Sequence, residues 1–216
     1  MNKDLSEFTE NENTQDNWQS TKLRNLLEKD ESGVWGDDPE GVEGVPVLRA
    51  TNFASDHIDL EDVAYRDIPE SKKQNKQLQY GDIILERSGG SADQPVGRVL
   101  FFDLKGEYYP GNFLRLLRPD ENKVYSHYLY YQLEYIYRRG GTVPIQSNTT
   151  NIRNLQFNSY MNQTIPLPPL DKQKEIAEAL RDIEKNILQL KDLIEQYETV
   201  EFGVMQQLLR EKPDEI

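Results

Sequence analysis

Between Gln146 and Gln156 the chain carries five side-chain amides, at Gln146, Asn148, Asn151, Asn154 and Gln156. A carboxamide donates and accepts hydrogen bonds at once, so this run can read the edges of bases or cap turns of its own backbone; the spacing leaves both open. A second candidate is SGGSADQP, residues 88–95. Two glycines and small hydroxyl and amide side chains make it longer than a tight hairpin requires, which suits either a binding loop or an ordinary surface loop. Catalytic groups are sparse. The chain has no G-x-x-x-x-G-K-[ST] loop and no G-x-G-x-x-G to cradle a phosphate, and no N-P-P-Y-like tetrapeptide of the amino-methyltransferase kind. His57 and His127 stand far apart without ligand spacing, and there is no cysteine, so a metal centre is not expected. Asp103 with Glu121-x-Lys123 mimics a nuclease carboxylate set, but Glu121 and Lys123 lie in RPDENKVY, which has the composition of a turn and not of the strand such a site wants.

The elements that must position these groups are mostly extended. VPVLRATNF (45–53), GDIILER (81–87), VGRVLFFD (96–103) and NFLRLLRP (112–119) read as strands from their β-branched and aromatic content. The 88–95 loop joins the second of these to the third. In VYSHYLYYQLEYIYRR (124–139), Tyr125, Leu129, Leu133 and Ile136 share one helical face, and Gly140 and Gly141 stop the helix. The other tyrosines at that spacing read as core and rim of a packed layer. KLRNLLE (22–28) is a short apolar repeat, and the polar, acidic residues 1–17 read as a disordered leader, with structure beginning near Trp18.

The C-terminal part has a different pattern. In IPLPPLDKQKEIAEAL (165–180), Pro166, Pro168 and Pro169 hold the chain extended and Asp171 is a good N-cap for a helix that follows. Ile176, Leu180, Ile183, Ile187, Leu190, Ile194 and Tyr197 then alternate spacings of four and three, the seam of a coiled coil. From Asp171 to Arg210 a continuous helix is ~60 Å long. Leaving each large aliphatic side chain of that seam wet forfeits roughly 1.5–3 kcal/mol, and no other segment offers a helix of similar length, so the seam calls for a second polypeptide. The competing arrangement is a helix folded back on its own domain with a break at Gly203; Glu201 falls at the next seam position, where the register is expected to shift or end. The fold class expected is therefore α+β: a leader over 1–17, a mixed, mostly-β domain over 18–170, one long coiled-coil helix over 171–210, and a tail over 211–216.

A formal charge of −13 argues against a polyanionic partner until its distribution is considered. Residues 1–44 hold 4 basic and 12 acidic groups, residues 45–155 hold 14 of each, and residues 156–216 hold 7 and 12. The middle is neutral, and the acidic ends read as solvated faces. No stretch approaches the ~20 apolar residues that span a bilayer, and the lack of cysteine fits a reducing compartment, so a cytoplasmic protein is expected.

Four pieces, in their order, carry a family resemblance over about residues 18–205: NWQSTKL, GVPVLRATNF, GDIILERSGGS with VGRVLFFD after it, and IPLPPLDKQKEIAEAL entering the seam. The chain resembles the DNA-sequence specificity subunits of type I restriction-modification systems. Family members commonly carry two target-recognition domains, each followed by a long helix, and the two helices pack antiparallel to set the distance between halves of a split DNA site. One such unit is present here, so the resemblance implies a half-length, non-catalytic subunit that forms a homodimer through residues 171–210. It also implies double-stranded DNA, an adenine methyltransferase subunit using S-adenosylmethionine, and in some systems a restriction and translocation subunit using ATP and Mg as partners, with no cofactor held by this chain. The candidate DNA contacts are Arg49, Thr51 and Asn52, then Arg87, Ser88, Gly89, Gly90, Ser91, Gln94 and Arg98, and lastly Gln146, Ser147, Asn148, Thr149 and Arg153. Phosphate contacts fix position, while arginine suits guanine and the amides suit adenine. The acidic leader is longer than the family leads one to expect, and the recognition domain is neutral where a basic surface is expected. A different reading of the same chain is a regulatory or assembly protein that competes for a specificity or methyltransferase subunit, its acidic N-terminus blocking DNA.

Overall fold

The computed structural model describes residues 18–40, 44–54, 57–91, 93–149 and 152–210; the expected leader and tail lie outside the described residues. The chain divides into two units, the first ending at Lys174 and the second beginning at Glu175. Together they form an α+β protein, mostly β and then one long helix.

The first unit opens with β1 (Gln19–Lys22), a 3₁₀ turn at Leu23–Leu26, β2 (Leu27–Ser32), β3 (Val45–Leu48), β4 (Ala64–Arg66) and the short α1 (Glu70–Lys73). Then come β5 (Ile83–Glu86), β6 (Ser88–Gly89), β7 (Val99–Phe101), β8 (Tyr109–Pro110), β9 (Leu114–Pro119) and α2 (Ser126–Arg138). It closes with β10 (Gln146–Thr149), β11 (Ile152–Leu155), α3 (Phe157–Met161) and β12 (Thr164–Leu167). The main sheet has the order β2-β9-β5-β7, antiparallel throughout, and a second has the order β4-β3-β8, with β3 and β8 parallel. All four residues of β5 are buried, as expected of a strand covered on both faces. Ile84, Leu114 and Leu116 meet Leu48, Leu100 and Phe102 in the principal core. α2 stops at Gly140, whose φ of 76° is the left-handed conformation that glycine adopts at no steric cost.

All four expected strands form, each shorter than its segment. The largest difference follows Leu48, where Ala50–Asn52 winds into a 3₁₀ turn instead of continuing the strand. The cause is local: the Asn52 side-chain oxygen accepts the Arg49 N–H at 2.8 Å and offers the backbone a partner that a strand does not. Gly33 and Gly111 make the other close joint. The Gly33 N–H donates to the Leu114 carbonyl at 2.9 Å and the Gly111 N–H to the Leu48 carbonyl at 2.8 Å, and a Cβ on Gly33 would stand 1.8 Å from the Gly111 oxygen. Only hydrogen fits there.

The proline strap is β12, antiparallel to β1 with Pro166 opposite Ser20. An edge pairing suits a residue without an N–H. The Tyr128 hydroxyl donates to the Pro166 carbonyl at 2.9 Å, and burial pushes that hydroxyl up to about 12. The long helix, α4 (Leu170–Leu209), starts one residue ahead of the expected cap, so Asp171 lies in its first turn, where a carboxylate favours the exposed amides. The lock on this start is Gln173, 1% exposed: its oxygen accepts the Tyr125 N–H at 2.9 Å and its amide donates to the Pro168 carbonyl at 2.8 Å.

The second unit is the remainder of α4, a helix of 40 residues in all, or ~60 Å. It runs through Glu201 and Gly203 without interruption, so the break considered at Gly203 does not occur. Two glycine substitutions separate tight packing from backbone entropy. Gly33→Ala is expected to lower the urea unfolding free energy by about 1–3 kcal/mol, since backbone must move. Gly203→Ala, with nothing within 4 Å of a new Cβ, is expected to raise helix stability by up to about 1 kcal/mol.

Candidate nucleic-acid interface

Three sequence segments are linked by hydrogen bonds in the first unit. The first is the corner after β3. Asn52 is 2% exposed, and besides accepting from Arg49 its amide donates to the carbonyls of Asp59 at 2.9 Å and Asp62 at 3.0 Å. That amide holds a loop and has no capacity left for a base. Arg49 donates through Nη2 to the Asp62 carboxylate at 2.8 Å and carbonyl at 2.6 Å, while its Nε is buried without a protein acceptor. Thr51 is exposed between them.

The second segment is the loop after β5. Arg98 donates to both oxygens of Glu86, at 2.8 and 3.1 Å, and to the Ala50 carbonyl at 3.1 Å. Glu86 is 2% exposed. Arg98 is therefore a buttress that ties the β3 corner to the main sheet. Beyond it the loop is built: Gly89 and Gly90 have φ of 116° and 58°, the Ser91 N–H donates to the Gln94 carbonyl at 2.8 Å, and the Gln94 N–H donates to Ser91 Oγ at 3.0 Å. A Cβ on Gly90 would meet the Gln94 oxygen at 2.8 Å. Ser91 and Gln94 stay exposed on this turn.

The third segment is the amide-rich run, which is a hairpin of β10 and β11 that pairs with β6 in a three-stranded sheet. Ser147 faces Asn154 and Asn148 faces Arg153 across it, and Thr149 faces Ile152; Asn151 lies outside the described residues. Some of these amides have structural partners. Ser88 Oγ donates to Asn154 Oδ1 at 2.7 Å, and Gln146 Nε2 donates to the Val96 carbonyl at 3.3 Å.

Phe113 joins the segments. Its carbonyl accepts the N–H groups of Arg87 at 2.7 Å and Ser88 at 3.2 Å, and its ring, 53% exposed, borders a cavity of about 400 Å³ with Trp35, Arg49, Thr51 and Asn112. Sequence reasoning missed Trp35, which stands in a loop rich in glycine, and Asn112 and Phe113, which the sequence places at the head of a strand that begins only at Leu114. Carboxylates hold Arg49, Arg66, Arg98, Arg115 and Arg118, whereas among the described residues Arg87 and Arg153 have no ion pair. Those two sit on bonded neighbours, for Leu155 N–H donates to the Arg87 carbonyl at 2.8 Å and Arg153 pairs with Gly89.

Two members of the carboxylate set considered from the sequence are engaged in local contacts. Glu121 accepts the Ser126 hydroxyl at the start of α2, and Lys123 pairs with Asp120 at 2.7 Å. Among the described residues no three His, Asp or Glu side chains converge as metal ligands, and no helix is long and apolar enough to cross a membrane.

Burial separates two ion pairs of these segments, Arg98 with Glu86 and Arg49 with Asp62. Glu86→Ala strands the guanidinium of Arg98 and is expected to cost about 3 kcal/mol in urea unfolding. Asp62→Ala, where the Asp62 side chain is 91% exposed, is expected to cost less than about 1 kcal/mol.

A family model of the type I restriction modification DNA specificity domain matches residues 15–199. The chain is 27% identical over 195 residues to a putative type I restriction enzyme MjaX specificity subunit of Methanocaldococcus jannaschii, covering 89% of this chain and 45% of that one. Among solved structures it is similar to a chain of a type I R-M system described for complex assembly and conformational transition, with a TM-score of 0.63 at 20% identity, covering 90% of this chain and 45% of that one. It is also similar to the type I restriction-modification system S subunit from M. genitalium, with a TM-score of 0.58 at 18% identity, covering 92% and 46%. The chain thus spans a little under half the length of these relatives. Matched over most of its residues, this chain belongs to the type I restriction-modification DNA specificity family.

Proposed function

We propose that this chain is a DNA sequence-recognition unit of a type I restriction-modification complex, and that two copies join through α4 to read a bipartite site. The observation that carries the two-copy reading is the exposure of the seam: Ile183, Ile187, Leu190, Ile194 and Tyr197 are 46–68% exposed. Apolar residues at coiled-coil spacing gain ~25 cal/mol per Å² when covered, and a second identical helix covers them.

On this reading residues 18–170 form the recognition domain and residues 171–210 the pairing helix. Arg87, Arg153, Thr51, Ser91 and Gln94 are the contacts to bases and phosphates, with Asn148 and Thr149 on β10 beside them. Arg49, Asn52, Ser88, Gly89, Gly90, Arg98, Gln146 and Ser147 shape the surface that presents them. Catalysis belongs to an adenine methyltransferase subunit with S-adenosylmethionine, and cleavage, where it occurs, to an ATP-dependent restriction subunit. The work of this chain is to choose where they act: base contacts discriminate and the fixed span between two domains sets which half-sites are read together.

The test is adenine methylation mapping of genomic DNA after co-expression of this chain with a type I methyltransferase subunit. A split motif of two inverted half-sites is the expected result, because two-fold protein symmetry imposes two-fold site symmetry. A contiguous motif, or methylation independent of this chain, contradicts the proposal. Arg87→Ala and Arg153→Ala are expected to relax one position of each half-site by roughly 10- to 100-fold while leaving the spacing unchanged.

A further inference from the structure

The exposed seam of α4 is not symmetric in charge, and that restricts how a second copy can lie on it. Its exposed members continue past Tyr197 through Glu201, Val204 and Leu208 with the same alternation of four and three, whereas Ile176 and Leu180 ahead of them are half-buried. One edge of the seam carries Glu184, Lys191 and Glu198 at intervals of seven, and the other carries Asn186, Leu193 and Val200.

Orientation follows from Glu201. In a parallel pair each residue meets its own equivalent, so two Glu201 carboxylates would share one apolar layer, where like charges are strongly disfavoured. An antiparallel pair places each Glu201 against an aliphatic residue instead. Three antiparallel registers then differ by one heptad. Overlap of the whole seam from Ile176 to Leu208 sets Lys191 against Lys191 of the second copy and Glu184 against Glu198. A slide toward the start of the helix pairs Glu184 with Lys191 but leaves Val204 and Leu208 wet and adds cover only to residues that are already half-buried. A slide the other way overlaps just the exposed run.

Resting on the two-copy reading, we infer that α4 pairs in this last register, antiparallel, with the two-fold axis between Glu195 and Gln196. Ile183 then faces Leu208, Ile187 faces Val204, Leu190 faces Glu201 and Ile194 faces Tyr197. Lys191 meets Glu198 of the second copy twice by symmetry. Leu193, 45% exposed, meets Val200, 61% exposed, on the other edge. Lys191 and Glu198 are thereby specificity-determining residues for the length of the DNA site: a slip of one heptad changes the span by ~10 Å, roughly three base pairs.

The absence of cysteine from the chain allows a direct test. Differently tagged Ile187→Cys and Val204→Cys copies are co-expressed and oxidised mildly; facing seam residues come within the disulfide range of about 4.4–6.8 Å between Cα atoms. The pair Ile187→Cys with Tyr197→Cys reports whole-seam overlap. Cross-linking of the first pair and not the second is the expected outcome. Cross-linking of the second, or of neither in a sample that sediments as a dimer, overturns the register; a monomeric sample overturns the two-copy reading itself. As an independent readout, Glu198→Lys raises the dimer dissociation constant by roughly 3- to 30-fold and Lys191→Glu combined with it restores the affinity. Tighter pairing of Glu198→Lys alone contradicts the proposal, because that is the result whole-seam overlap gives.

Discussion

An apolar stripe on α4 that stands in water is the constraint on which the account depends. Seven of its seam residues from Ile183 to Leu208 are 46–76% exposed. Side chains of this size gain roughly 1.5–3 kcal/mol each when fully covered, which is the gain open to any partner surface that covers them. The helix reaches that length because nothing stops it: no proline interrupts α4, and Gly203 costs only about 1 kcal/mol against alanine. The start, by contrast, is fixed by a buried amide. Gln173 satisfies two backbone groups at once and so ties the first turn to the proline strap and to the head of α2.

The neutral charge of the middle of the chain does not show how its arginines are used. Most of its arginines are paired with carboxylates inside or at the edge of the recognition unit: Arg98 with Glu86, Arg118 with Asp82, Arg115 with Asp30, Arg66 with Asp38. Those pairs set shape, and two of the carboxylates, Asp30 and Asp38, come from outside residues 45–155, so the neutral count of that stretch does not tell where uncompensated charge remains. Arg87 and Arg153 stand apart from them, brought together by the pairing of β6 with β11. A balanced composition is therefore compatible with a local cationic spot next to hydroxyl and amide groups. That combination is what contacts to phosphates and base edges need.

Much of the architecture was legible in the sequence because it rests on periodicity. The seam, the strap, the face of α2 with Leu129, Leu133 and Ile136, and the four central strands all follow from spacing and side-chain type. Short-range competition was harder to read. The turn at Ala50–Asn52 depends on one amide finding Arg49, Asp59 and Asp62, and the β6–β11 pairing joins residues 66 apart in the chain that no local pattern links. For the same reason Arg98 and Asn52 looked available in the sequence and are engaged in the fold, while Trp35 and Phe113, outside every candidate binding segment of the sequence, line a cavity. Position along the chain picked out segments that are bonded to one another in the fold; three-dimensional pairing decided which of their side chains are engaged and which stay exposed.

The central claim is that this helix pairs with another copy of itself, and the mass of the purified full chain in solution tests it most directly. Light scattering across about 1–100 µM is predicted to give twice the 25.2 kDa chain mass, falling to the single-chain value on Ile187→Asp with the recognition unit still folded. A wild-type chain that stays at the single-chain mass over that whole range contradicts the account.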